Sequence, residues 1–301
     1  MKCVTRLLCV VHSLVFSLSC FATASEEVLT SIESRAQQLT DLSDRIWDLA
    51  EVGYQETLSS NALKDALLAE GFSIESGVAS IPTAFVASYG SGEPVIAIMG
   101  EFDALPGISQ AAVPVAQKID GKKAAHACGH HLFGAGSAGA AIAVKEWLDR
   151  TETSGTVQFF GTPAEEGGSG KVYMVRAGLF DDVDTVIHWH PSSVNSADSA
   201  STLANRSAKF TFTGVSSHAA AAPERGRSAL DAVESMNFMV NLLREHVPSS
   251  TRLHYVITNG GATPNVVPNT AESFYYARHP NENALRDIWD RVVATADAAA
   301  M

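Results

Sequence analysis

Apolar residues recur at helical spacing from Ser25 to Ala50, with Val28, Ile32, Ala36, Leu39, Leu42, Ile46 and Leu49 three or four apart. A second helix is expected over Ser59 to Glu70, stopped by Gly71. The pattern then shortens: Ala84 to Tyr89 and Val95 to Met99 are strand-like, separated by Gly90-Ser91-Gly92, and are candidates to pair as a hairpin. Val95 to Met99 has no polar face, as a central strand buried on both sides requires. Small residues from Leu132 to Trp147 predict a packed helix, and Thr156 to Phe160 another strand. Lys171 to Ala177 reads as a short helix ended by Gly178, and Asp184 to Ile187 as a further strand.

Between Ser192 and Arg206 the chain is polar and without periodicity, which marks a domain junction. Beyond it the order is strand (Lys209 to Thr213), helix (Gly226 to His246), strand (Arg252 to Thr258), strand (Ala271 to Ala277) and helix (Glu282 to Ala300). That is the ferredoxin-like order with its final strand absent, so one sheet position is expected to lack its strand and leave an inner edge unpaired. The pattern as a whole is that of an α/β domain followed by an α+β domain.

Composition narrows this picture. At 46% hydrophobic and 18% charged, the chain can build ordinary globular cores. Its formal charge of -12 and lack of a basic cluster argue against a nucleic-acid partner. Lys2 and Arg6 precede an apolar stretch, Leu7 to Phe21, and an Ala-x-Ala pattern at Ala22 to Ala24. Residues 1–24 thus read as a signal peptide, the protein as exported (periplasmic or secreted), and the remainder as having no membrane association. Cys3, Cys9 and Cys20 leave with that leader, so Cys128 is the one cysteine of the mature chain. An unpaired thiol in an oxidising compartment points to an intermolecular disulfide or to a metal ligand.

The surroundings of Cys128 favour the ligand. His126-Ala127-Cys128-Gly129-His130-His131 packs three imidazoles and a thiol into six residues just ahead of a helix. Cys128 and His130 are too close in sequence to share a helix face, but a turn at Gly129 brings both to one point. Three buried strands are each followed by chemistry-bearing residues: Glu101-Phe102-Asp103, Glu165-Glu166 and His188-Trp189-His190. In an open α/β sheet the carboxyl ends of strands are where ligands bind. In an extended segment Glu165 and Glu166 would point opposite ways, one to metal and one to substrate. Either His188 or His190 could be a ligand, and Asp103 could orient a ligand histidine or cap a turn.

Taken together, six segments resemble one family. They are Glu-Phe-Asp-Ala-Leu-Pro-Gly (101–107), His-Ala-Cys-Gly-His (126–130), Pro-Ala-Glu-Glu-Gly-Gly (163–168), Trp-His-Pro (189–191), Gly-Val-Ser-Ser-His-Ala (214–219) and Gly-Gly-Ala-Thr-Pro-Asn-Val-Val-Pro (260–268). The chain from about residue 27 to 301 resembles the dinuclear-metal amidohydrolases and peptidases related to aminoacylase and carboxypeptidase G. The resemblance implies a zinc-peptidase-like catalytic domain, a mixed sheet flanked by helices, over residues 25–203. It implies an inserted ferredoxin-like lid or dimerisation domain over 204–301. It also implies two divalent ions, Zn²⁺ or Mn²⁺, with Cys128, His130, Glu166 and His190 as metal ligands and Asp103 behind them.

By the same resemblance Glu165 is the general base, and His218 the lid histidine that reaches a neighbouring protomer's site in dimeric relatives. Asn265 and Arg278 would hold a substrate carboxylate, for which a guanidinium fork is suited. The implied substrate is an N-acyl or N-aroyl amino acid of the p-aminobenzoyl-glutamate kind, or a dipeptide, and the implied partner a second copy or a homologous subunit. His131 stands where relatives usually carry Asp or Asn. Relatives also continue well past residue 301, so the chain reads as C-terminally truncated, lacking a final histidine ligand. Two rival readings are a Cys128-nucleophile amidase and a non-catalytic partner subunit. The absence of a His-Glu-x-x-His pattern excludes the common zinc-protease helix.

Overall fold

The computed structural model describes residues 26–197 and 201–301, so the proposed leader lies outside the described residues. The described chain divides into two compact units, with the boundary between Asn195 and Ser196.

In the first unit, residues 26–34 are helical, Arg35 is a single turn residue, and α1 follows (Ala36–Leu49). Then come α2 (Thr57–Ala69), β1 (Ser73–Ser76), β2 (Phe85–Ser91), β3 (Val95–Gly100), β4 (Leu105–Pro106) and β5 (Ala124–Ala125). The unit closes with α3 (His130–Thr151), β6 (Gly155–Gly161), α4 (Glu165–Gly168), α5 (Gly170–Arg176) and β7 (Thr185–Ile187). The main sheet is mixed, with strand order β1-β2-β6-β3-β7.

The expected hairpin does not form. β6 lies between β2 and β3, antiparallel to the first and parallel to the second. Both edges of β3 are taken by parallel partners, β6 and β7. Parallel partners need long crossovers rather than a tight turn, and α3 supplies one of them between β3 and β6. β3 is central, as its apolar run predicts, although only Ala97, Ile98 and Gly100 are fully buried.

Strand alternation sorts side chains into two cores. Phe85, Ala87, Val157 and Phe159 pack with Ile46, Leu63, Phe102 and Ile142 on one face. Val86, Ala97 and Phe160 pack with Ile81 and Met174 on the other. Burying so many large apolar side chains supplies the main stabilising term, on the order of 2 kcal/mol for each.

The second unit contains β8 (Ala204–Thr213), α6 (Ala229–Leu243), β9 (Arg252–Asn259), β10 (Thr270–His279) and α7 (Glu282–Ala300). Its sheet is antiparallel and contiguous, in the order β8-β10-β9. β10 pairs with β8 on one side and β9 on the other, and among the described strands the second edge of β8 has no strand partner. Ser228 caps α6 and Asn281 caps α7, each through a side-chain oxygen accepting a backbone N–H three residues on. Val233, Met236, Tyr275, Ile288 and Val292 form the core of this unit.

Candidate metal centre

Three strand ends and one helix start meet in the first unit. After β3 the chain carries Glu101, Phe102 and Asp103, all buried. The pairing of Leu105 with Ala125 folds the chain back on itself and brings the His126 to Gly129 turn beside Asp103. Gly129 has φ +83°, a left-handed bend that costs glycine little, and α3 starts at the next residue. Gly134 lets α3 close on the strand end: a Cβ there would lie 2.9 Å from the Glu101 carbonyl oxygen.

After β6, Ala164 is buried with φ +58°, and its N–H is held by the buried carboxylate of Glu56 at 2.8 Å. That bend starts the single turn α4, so Glu165 and Glu166 do not lie on an extended segment. The expected alternation of their carboxylates therefore does not apply. Instead Glu165 Oε2, half exposed, lies 4.0 Å from His130 Nε2. Glu166 sits beside Cys128, with its Oε1 buried and free of any hydrogen bond.

The donor atoms of Cys128, His130 and His190 all lie within 4.8 Å of one another. Cys128 Sγ is 3.5 Å from His190 Nε2. A thiolate and an imidazole on one tetrahedral zinc ion stand about 3.5 Å apart, so the spacing fits. His190 Nδ1 lies 2.9 Å from the Pro191 carbonyl, an acceptor only, so Nδ1 carries the proton and Nε2 faces the thiol with its lone pair. In His130, Nδ1 faces both the backbone oxygen of Asp103 (3.0 Å) and its Oδ1 (2.9 Å), which likewise leaves Nε2 as the ligating atom. Asp103 Oδ2 accepts the N–H of Glu166 at 2.9 Å. His188 turns to Glu101 instead, its Nε2 3.8 Å from Oε1. Between the two histidines, Trp189 donates its N–H to Ser137 Oγ at 3.0 Å.

The electrostatics call for a cation. Burial, then the carboxylates of Glu166, Glu165 and Glu101, push the Cys128 thiol up to about 12. Burial also opposes a charged His130, but Asp103 and Glu101 outweigh it and raise that ring to about 10. Glu101 is held well below the usual carboxylate range: burial opposes its charge, and His130, His188 and Lys171 overcome that. Glu166 Oε1 is buried without a hydrogen-bond partner, and His130 Nε2 and Glu101 Oε2 are buried with only each other, 2.9 Å apart. Orphaned buried atoms of this kind are costly in a native fold unless a ligand satisfies them.

The sequence assigned no role to two participants, Glu101 and Lys171. Glu101 is two residues from Asp103, a spacing that puts both on one side of an extended segment and could have flagged it. Lys171 forms an ion pair with Glu101 from a helix seventy residues on, and no local signal links them. His131 is not among the clustered donors of the described residues: its ring packs edge-on against Trp47, centroids 4.8 Å apart, with His126 5.2 Å away. Burial first, then neighbouring imidazoles, lower both His126 and His131 to about 4.

In the second unit, His218 and Asn265 are neighbours. His218 bridges to Val266, the Ala219 N–H donates to the Asn265 carbonyl at 3.1 Å, and His218 Nδ1 accepts the N–H groups of Ala220 and Ala221. Arg278 lies at the other end of β10, its guanidinium 5.5 Å from the Tyr276 ring. The eight steps of strand from Thr270 to Arg278 span roughly 26 Å, and Asn265 precedes that strand.

A family model for peptidase family M20/M25/M40 matches residues 97–296. The chain belongs to this family. Among its relatives, a p-aminobenzoyl-glutamate hydrolase subunit of Escherichia coli (strain K12) is 46% identical over 273 residues, covering 90% of this chain and 57% of the relative. The chain therefore spans somewhat over half the length of that relative. Among solved structures, an aminobenzoyl-glutamate utilization protein from Klebsiella pneumoniae has a TM-score of 0.67 at 20% identity, over 91% of this chain and 75% of that one. A dinuclear metal binding peptidase of Bacillus subtilis has a TM-score of 0.61 at 22% identity, over 89% and 71%. Both are similar in fold, and the M20 mixed α/β architecture expected from the sequence is the one observed.

Proposed function

We propose that the protein is an exported metal-dependent amidohydrolase acting on N-acyl or N-aroyl amino acids of the p-aminobenzoyl-glutamate kind. The observation that carries this reading is the convergence of Cys128, His130 and His190 beside Glu165, with the Nδ1 atoms of both histidines committed to oxygen acceptors. The similarity to a p-aminobenzoyl-glutamate hydrolase subunit supports the substrate class. Cys128, His130, Glu166 and His190 would hold two divalent ions, Zn²⁺ or Mn²⁺, which suit imidazole, carboxylate and thiolate donors.

When bound, such ions polarise the scissile carbonyl and acidify an attacking water. The chain's own residues handle protons and orientation. Glu165 takes a proton from water as its oxygen adds to the amide carbon, then delivers it to the departing amine nitrogen as the C–N bond breaks. Asp103 fixes the His130 ring and, through the Glu166 N–H, the start of α4. His218, Asn265 and Arg278 are proposed as the second unit's contribution, with Arg278 reading the substrate carboxylate.

Pairing with a second copy or a homologous subunit belongs to the same proposal, supported by the relative's being one subunit of its hydrolase. Export rests on the leader pattern of residues 1–24. The test is a screen of N-acyl and N-aroyl amino acids, p-aminobenzoyl-glutamate included, before and after chelation. Hydrolysis that stops on chelation and returns with Zn²⁺ or Mn²⁺ is the expected result. Chelator-resistant hydrolysis lost on thiol alkylation would establish the Cys128 nucleophile instead, and binding without turnover a non-catalytic subunit.

A further inference from the structure

Glu101 has no role in the ligand set above, yet it is 2% exposed and sits at the centre of the charged cluster. Its Oε1 faces Lys171 and, at 3.8 Å, His188. Its Oε2 lies 2.9 Å from His130 Nε2, close enough for an ion pair when that ring is protonated, and neither atom has any other hydrogen-bond partner. His130 is fully buried and its Nδ1 proton is committed to Asp103, so in the neutral ring Nε2 presents a lone pair to a carboxylate oxygen. Two acceptors held face to face at that distance repel each other unless a positive charge lies between them, and a metal ion that takes Nε2 displaces the proton there and meets the same carboxylate.

A cation fits the spacing. Oxygen and nitrogen ligands about 2.1 Å from one ion stand roughly 3.0–3.4 Å apart at angles between 90° and 109°, close to what the pair shows. A nitrogen lone pair serves one ion only, so a carboxylate this near it would share that ion. Glu165 Oε2, the proposed base, lies within 4.8 Å of both and so beside the same ion.

We infer that Glu101 is a carboxylate ligand of the ion bound at His130 Nε2, with Lys171 engaging the other carboxylate oxygen so that Oε2 points at the ion. This assignment rests on the metal-centre reading above. It adds a hard oxygen donor to the ion at His130, which favours Zn²⁺ or Mn²⁺ over soft ions such as Cu⁺.

The test is titration of the full chain with Co²⁺ as the probe, following the d–d absorption and the thiolate-to-cobalt charge-transfer band. Glu101→Gln, nearly the same size and shape, should bind the His130 ion about 10-fold or more weakly, at least the scale known for losing an outer-shell partner. Its d–d spectrum should change with the lost oxygen donor, while the thiolate band persists. Glu101→Asp should fall between Gln and wild type if the carboxylate itself ligates, and far-ultraviolet circular dichroism should show both variants folded. Unchanged affinity and d–d spectrum in Glu101→Gln would overturn the assignment while leaving the metal-centre reading intact. Wild-type protein that binds no Co²⁺ would overturn that reading, and this inference with it.

Discussion

One carboxylate, that of Asp103, positions two other residues: Oδ1 lies 2.9 Å from His130 Nδ1, and Oδ2 accepts the Glu166 backbone N–H at 2.9 Å. The starts of α3 and α4 are thereby tied to the end of β3. Asp103→Ala removes both bonds; His130 Nδ1 keeps the Asp103 backbone carbonyl at 3.0 Å, and the Glu166 N–H is left unpaired. Co²⁺ affinity is expected to fall 10- to 100-fold, as for the loss of other carboxylates behind ligand histidines. Urea unfolding should show a loss of about 1–3 kcal/mol, the cost of one unpaired buried donor. Unchanged affinity would mean that Asp103 only caps a turn.

How much of this was legible in the sequence follows from the range of each interaction. The turn at Cys128 could be read because glycine and the following helix are adjacent in the chain. So could the three strand ends, because a buried strand announces itself in a few residues. The strand neighbours could not be read, since β6 enters between β2 and β3 from a distant part of the chain. Nor could the helical turn at Glu165, because Ala164 takes a positive φ that alanine rarely adopts, and the Glu56 carboxylate holding its N–H is 108 residues distant. The pairing of Glu101 with Lys171 likewise has no local trace. Asn265 and Arg278 are separated by most of a strand, and their shared role rests on the resemblance rather than on spacing.

Arg35, the turn residue ahead of α1, links three helical segments through Glu70 (3.1 Å) and Glu146 (3.2 Å). Its partners are partly exposed, so Arg35→Ala is expected to cost only about 1–2 kcal/mol in urea unfolding. Glu146 is held below the ordinary glutamate value of 4.5, first by the Ser31 hydroxyl and, against burial, by Arg35. A lowered folded value means that its contribution is present above pH 4.5 and is lost as pH falls through that folded value. The stability difference between wild type and Glu146→Gln should therefore shrink on acidification below pH 4.5. A difference that stays constant through acid would exclude this ion pair as the source.

Arg278 makes no ion pair among the described residues and rests near the Tyr276 ring, so its charge is open to a ligand. Arg278→Ala should cost about 2–3 kcal/mol in kcat/KM for substrates with a free carboxylate, the range for charge-assisted bonds. Substrates with that carboxylate amidated should be nearly insensitive. Equal losses on both would assign Arg278 a structural role.

Glu165, half exposed, 4.0 Å from His130 Nε2 and beside a second carboxylate, carries the proposed proton transfer. The deciding measurement is the hydrolysis of p-aminobenzoyl-glutamate by Glu165→Gln protein whose metal content has been determined in the same sample. Metal retained at the wild-type level with kcat lowered at least ~100-fold is the predicted result, the usual scale for removing a general base. Near-normal turnover with metal in place would contradict it.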